Sequence, residues 1–152
     1  INQFDIVKPT IVCIVSSKNG FLTPSIAVND NRIQAFSLFT YTMAGEQFIP
    51  SKDGTQLYVK QFHAVQPKAQ VLILHGYLEH CLRYTEFAEY LNGQGISVTT
   101  YDFRGHGKSG GDRPVIRKWE EYEEDLMAVR ATLNPQLPTF VLGHSNGGLC
   151  TL

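Results

Sequence analysis

From residue 46 onward the chain falls into blocks with distinct apolar periods. Residues 47–50 and 56–63 flank Ser51, Lys52, Asp53 and Gly54, a turn sequence whose glycine accepts a positive φ, and the pair predicts a β-hairpin. Residues 69–74 (Ala-Gln-Val-Leu-Ile-Leu) are nearly all apolar, as expected of a strand covered on both faces in a parallel sheet. Residues 83–92 set Tyr84, Phe87, Ala88 and Leu91 on one helical stripe, and Gly93 and Gly95 stop that helix. Residues 96–103 are β-branched and aromatic, which predicts a second strand of the same kind. Residues 117–133 then place Trp119, Tyr122, Leu126, Val129 and Leu133 on one helical face, with Pro135 as the stop. The acidic run from Glu120 to Asp125 reads as the solvated face of that helix, where negative charge near the N-terminus suits the macrodipole, rather than as a cation site. Residues 139–142 form a third buried strand, and a turn opens at Gly143. Strand, helix, strand, helix, strand predicts an α/β fold with a mostly parallel sheet. These strands by themselves leave one sheet edge open.

Residues 1–42 read differently. Their only charges are Asp5, Lys8, Lys18, Asp30 and Arg32, they lack helical periodicity, and turn-forming clusters cut them into short pieces. The expectation is a poorly ordered extension over 1–42 and one domain over 43–152, with Met43 a plausible start.

Composition narrows the classes of function. The 152 residues suit one domain, and 43% hydrophobic residues supply a core. A net charge of -1 gives no global electrostatic reason to bind nucleic acid or an anionic membrane. The longest apolar runs, residues 11–15 and 71–74, are far short of the roughly 20 residues of a spanning helix. The N-terminus shows no secretion signal, which favours the cytoplasm. Cys13, Cys81 and Cys150 are odd in number and widely spaced, so they read as reduced thiols and not as a disulfide framework or metal site.

Ligands of such a sheet meet the loops at the carboxyl ends of its strands. The last of these loops, Gly143-His144-Ser145-Asn146-Gly147, fits Gly-x-Ser-x-Gly directly after a strand. In that pattern a nucleophilic serine stands on a strained strand-to-helix turn, and the flanking glycines let the chain pass close by. The backbone N–H of Asn146 then faces a developing oxyanion. The loop His75-Gly76-Tyr77 follows the first buried strand, and Gly76 permits a turn that aims the Tyr77 N–H at the same oxygen. His75 and His80 lack a third ligand at suitable spacing, so no metal is expected. The middle loop, residues 105–110, matches Gly-x-Gly-x-x-Gly, but Gly111, Asp112 and Pro114 separate it from the next helix, whereas a dinucleotide site needs the helix to begin at once. Walker A fails too, because Asp102 stands where its first glycine should be. No cofactor is expected.

With three loops in this order the chain resembles an α/β-hydrolase, specifically the monoacylglycerol lipase and lysophospholipase branch of the serine aminopeptidase S33-like group. The residues behind the resemblance are His75-Gly76-x-x-Glu79-His80-x-x-Arg83-Tyr84, Asp102-x-x-Gly105-His106-Gly107-x-Ser109-x-Gly111 and Gly143-His144-Ser145-x-Gly147-Gly148. The resemblance covers residues 46–152. It implies that Ser145 is the nucleophile, that Tyr77 and Asn146 supply oxyanion-hole amides, and that His106 supports its loop. It also implies a small-molecule, lipid-like carboxylic ester as substrate, with membrane contact only through a lid outside these residues. Asn146 departs from the branch, which usually has Met there. The backbone donor survives that change, while the acyl-pocket wall becomes more polar.

A serine nucleophile needs a base, and the base needs an orienting carboxylate. In this fold they follow the serine in the chain. All five histidines (His63, His75, His80, His106 and His144) precede Ser145. His144 adjoins it, but neighbouring side chains at a tight turn diverge. The expectation is therefore a hydrolase portion that ends after the nucleophile elbow and is inactive alone. Two other readings stay open: a catalytically dead binding module, and, less favoured, a nucleotide-binding α/β domain.

Overall fold

A computed structural model describes residues 11–14, 43–113 and 117–151. Among these, six strands form one sheet in the order β1-β6-β4-β5-β3-β2. Strands β2 (Met43–Pro50) and β3 (Gln56–His63) are the expected hairpin, antiparallel in the register Phe48 to Tyr58 and Pro50 to Gln56. Its turn is closed by the Ser51 N–H donating to the Thr55 carbonyl at 2.8 Å, with Gly54 at φ 86. β3 is antiparallel to β5 (Ile96–Tyr101). β4 (Ala69–Leu74) lies parallel to both β5 and β6 (Thr139–His144), which makes it the central strand.

The expectation for residues 1–42 falls outside the described residues except at β1 (Ile11–Ile14). That segment pairs in parallel with β6 from Ile11 opposite Val141 to Ile14 opposite His144. The edge beyond β6, which the strands of 46–142 alone leave open, is thus lined by β1.

Side-chain alternation splits the core into two layers. Leu72 and Leu74 of β4 join Leu57, Val59, Tyr101 and Phe103 on the side covered by α2 (Glu120–Arg130), through Tyr122 and Val129. Ile73 turns to the other face, where it packs with Phe62, Val98 and, from α1 (Thr85–Gly93), Ala88 and Leu91. The stripe read as one helix over 83–92 is a 3-10 turn, Cys81–Tyr84, leading into α1. The helix read over 117–133 is regular only over Glu120–Arg130.

The acidic run is where packing overrides the sequence reading. Asp125 is not solvated: it is fully buried, on the same side of α2 as Tyr122 and Val129. Arg104, also buried, meets it with two parallel bonds, Nε to Oδ2 at 2.7 Å and Nη2 to Oδ1 at 2.6 Å. Arg104 Nη1 reaches on to Asp53 in the hairpin turn at 2.9 Å. One guanidinium therefore fastens the loop after β5 to α2 and to the hairpin.

Candidate active site

The loops after β4, β5 and β6 lie at one end of the parallel strands, and hydrogen bonds among them fix their shapes. After β6, Ser145 is exposed with φ 52 and ψ -114, a backbone conformation that non-glycine residues rarely adopt. It caps α3 (Asn146–Leu149), whose Gly148 N–H donates to the Ser145 carbonyl at 2.9 Å. The glycines on either side are required by contact. A Cβ on Gly143 would collide with the backbone of Gly147 and Gly148, and one on Gly147 would collide with the carbonyl oxygens of Leu74 and His75. The turn after β6 is therefore pressed against the end of β4 with no room for a side chain between them.

After β4, the Gly76 carbonyl accepts the Glu79 N–H at 3.2 Å, closing a turn around Tyr77 and Leu78. Leu78 has φ 58 and is 71% exposed, so it is held in the left-handed region with little of its own packing. Tyr77 is half exposed, with its ring 5.7 Å edge-on to His106. Neither the Tyr77 N–H nor the Asn146 N–H donates to an acceptor among the described residues.

Two buried residues hold these loops from beneath. His75 is completely buried; its Nε2 accepts the Phe103 N–H at 3.0 Å, so Nδ1 bears the proton and donates to the Gly76 carbonyl at 2.7 Å. Asp102 accepts the Cys81 N–H at 2.7 Å and the Lys108 N–H at 2.7 Å. A Cβ on Gly107 would run into that carboxylate. The Gly-x-Gly-x-x-Gly loop is thus folded around Asp102, with Gly105 at φ 70 and Gly107 at φ 49, and no helix starts from it.

Burial pushes the His75 imidazole below its ordinary pKa, because the charged form loses its hydration, while the Gly76 carbonyl and Asp102 oppose the shift. The unfolded chain then binds a proton that the folded chain resists. Stability is full above the unfolded value of about 6.5 and is lost as pH falls through it toward the folded value. Unfolding free energies measured by chemical denaturation at pH 7.5 and pH 5.5 are expected to fall on acidification by up to about 1.4 kcal/mol per pH unit. A shallower slope is expected for His75→Gln. An unchanged slope in that variant would contradict the assignment.

Other nucleophiles are muted. Burial raises the Cys81 thiol pKa far above its normal range and pushes Cys150 up to about 11, so both are neutral near pH 7. Among the described residues no group of three or more His, Cys, Asp or Glu is placed to hold a metal ion. No helix of the described residues is long and apolar enough to cross a membrane.

The family profile described as "Serine aminopeptidase, S33" matches residues 65–152. The chain belongs to this hydrolase family. It is 44% identical over 85 residues to "Monoacylglycerol lipase" of Mycolicibacterium smegmatis, an alignment covering 54% of this chain and 30% of that protein. It is 36% identical over 104 residues to "Monoglyceride lipase" of Mus musculus, covering 66% of this chain and 34% of that one. The chain therefore spans about a third of the length of the curated relatives it matches. Among solved structures, a thermostable carboxyl esterase from Bacillus coagulans in complex with glycerol superposes with a TM-score of 0.61 at 25% identity, over 70% of this chain and 38% of that one. The fold is that of the α/β-hydrolases.

For this S33 chain, the three residues singled out from sequence fall on two adjoining loops: Tyr77 after β4, Ser145 and Asn146 after β6. Glu79 was quoted only as part of a motif, and its place in the site went unread. Its Oε2 accepts the Gly76 N–H at 3.0 Å, the Tyr84 hydroxyl at 3.2 Å and His144 Nδ1 at 3.2 Å. Burial works against ionisation of Glu79, yet the bonds from Gly76 and His144 and the charge of Arg83 hold its carboxyl below the usual range. A signal was present in Gly76: a Cβ there would lie 2.9 Å from His144 Nδ1 and 3.2 Å from Glu79 Oε2.

Proposed function

We propose that the protein to which these residues belong is a serine hydrolase that cleaves carboxylic esters of lipid-like substrates through an acyl-enzyme on Ser145. One observation supports this above the rest: an exposed serine at positive φ, on a turn packed so tightly against β4 that its flanking glycines admit no Cβ. A backbone conformation that costs on the order of 1–3 kcal/mol is retained where the surrounding structure over-determines it, commonly at a working site.

In the proposed reaction Ser145 Oγ adds to the ester carbonyl carbon and gives its proton to a base. The Tyr77 and Asn146 N–H groups receive the carbonyl oxygen as it becomes an oxyanion. The tetrahedral intermediate collapses, releasing the alcohol and leaving the acyl group on Ser145, and water then hydrolyses that ester by the same path. The base is assigned to residues outside this chain. His75 has both ring nitrogens engaged, by Phe103 and by Gly76, and in the fold that the chain resembles the base follows the nucleophile in the sequence. On this reading the 152 residues are the N-terminal portion of the enzyme and are inactive alone.

The lipid-like substrate is supported by apolar groups standing around the serine. Tyr77 and Leu78 on the loop after β4 and Leu149 at the end of α3 are 51%, 71% and 58% exposed. The relatives named as monoacylglycerol and monoglyceride lipases point the same way.

Hydrolysis of p-nitrophenyl butyrate by the full-length protein tests the reading. Asn146→Met is expected to change the rate by no more than about threefold, because the assigned donor is the backbone N–H; losing a true oxyanion donor costs roughly a hundredfold or more. A hundredfold loss in Asn146→Met would move the donor to the side chain. Absence of Ser145-dependent turnover would leave the binding-module reading in its place.

A further inference from the structure

The Glu79 carboxylate lies between the two loops that are proposed to share the reaction. Its side chain is only 14% exposed, and its Oε2 alone takes donors from three places: Gly76 after β4, Tyr84 before α1, and His144 at the end of β6. Arg83 Nη1 approaches the other oxygen at 3.2 Å. The bonds to Arg83 and Tyr84 are local, four and five residues along the chain. Those to Gly76 and His144 are not local in effect, because Gly76 immediately precedes Tyr77 and His144 immediately precedes Ser145.

Resting on the function proposed above, we propose that Glu79 is a positioning residue that sets the two halves of the oxyanion site against each other by holding Gly76 and His144 through one carboxylate oxygen. A fixed hole works only if its two N–H donors keep their separation and direction while charge develops between them. Tyr77 stands in a turn that includes Leu78 at φ 58, with the Leu78 side chain 71% exposed and contributing little to hold that shape. The Glu79 N–H closes this turn onto the Gly76 carbonyl, and the Glu79 carboxylate closes it from the other side onto the Gly76 N–H. On the facing loop, an ionised carboxylate is acceptor-only, so His144 presents Nδ1–H to it. The imidazole is thereby held against Glu79 through Nδ1. A purely structural role predicts loss of folded protein with the remaining molecules fully active. A positioning role predicts folded molecules that bind substrate and turn it over slowly.

The test compares Glu79→Leu, Glu79→Gln and Tyr84→Phe in the full-length protein with p-nitrophenyl butyrate. Sites are counted by labelling to completion with a fluorophosphonate, so unfolded molecules do not enter the rate. Glu79→Leu, which removes the shared acceptor, is expected to lower kcat per labelled site by about a hundredfold with KM within about threefold. Inhibition by phenylboronic acid, which mimics the tetrahedral state, is expected to weaken in parallel with kcat. Glu79→Gln keeps an acceptor oxygen in the same place and is expected to restore about tenfold of that loss. Tyr84→Phe removes only the local bond and is expected to leave kcat per site within about twofold, whatever it does to stability. Unchanged kcat per labelled site in Glu79→Leu would overturn the proposal, as would a loss confined to KM. A wild-type protein with no Ser145-dependent turnover would instead overturn the assigned function itself.

Discussion

Ser145→Ala is expected to lower ester turnover of the full-length protein by about 10⁴-fold or more, with substrate binding little changed. The magnitude follows from the chemistry, since Oγ forms the covalent bond and no neighbouring group replaces it. Cys150, five residues on, is a neutral thiol with its pKa pushed up to about 11, and Cys81 is completely buried with its thiol pKa pushed up far beyond the normal range. What survives in the variant is whatever the two backbone donors achieve on bound ester with water as nucleophile. The backbone of Ser145 is unusual in its own right, so the variant must be shown to fold. Alanine tolerates φ 52 about as poorly as serine, and a stability within about 1 kcal/mol of wild type is expected.

The second large effect concerns stability. Asp125→Ala is expected to cost about 3 kcal/mol in chemical denaturation, a large fraction of what a small domain has. Removing the carboxylate leaves the Arg104 guanidinium buried with Nε and Nη2 stripped of their closest partners. Asp53 and Glu121 remain within 2.9 Å and 3.4 Å of Nη1, which holds the cost at the low end for a broken buried pair. The exposed pair Lys52–Glu124, at 2.6 Å, makes the contrast: its lysine is 76% exposed, and such solvated pairs add little to stability. Equal losses from Asp125→Ala and Glu124→Ala would show that Asp125 is not the buried anchor described here.

Where one physical signal dominated, the sequence was readable. The hairpin and both helices carry periods that survive folding because each buries a marked face, and β4 is legible as an apolar run because both its faces are covered. The boundaries moved where local bonding decided them: α1 begins only after a 3-10 turn, and α2 is shorter at both ends than its apolar stripe. Asp125 was misread because an acid in an acidic run looks solvated until its partner is known, and Arg104 lies 21 residues away. Of the site, the strand-then-glycine pattern pointed to the loops of Tyr77, Ser145 and Asn146. The ties between loops were hidden for the same reason as Arg104. Phe103 to His75 spans 28 residues and His144 to Glu79 spans 65, and no periodicity records such contacts. Strand β1 carried only a short apolar run, residues 11–15, and nothing local to tell that it pairs with a strand more than a hundred positions later.

The assignment of Ser145 as nucleophile is tested most directly by reacting the full-length protein with a fluorophosphonate at pH 7.5 and locating the adduct by peptide mass spectrometry. The account predicts a single phosphonyl group on Ser145, blocked by prior incubation with a boronic acid. Modification of another residue, or an unmodified Ser145 in protein that hydrolyses p-nitrophenyl butyrate, would contradict it.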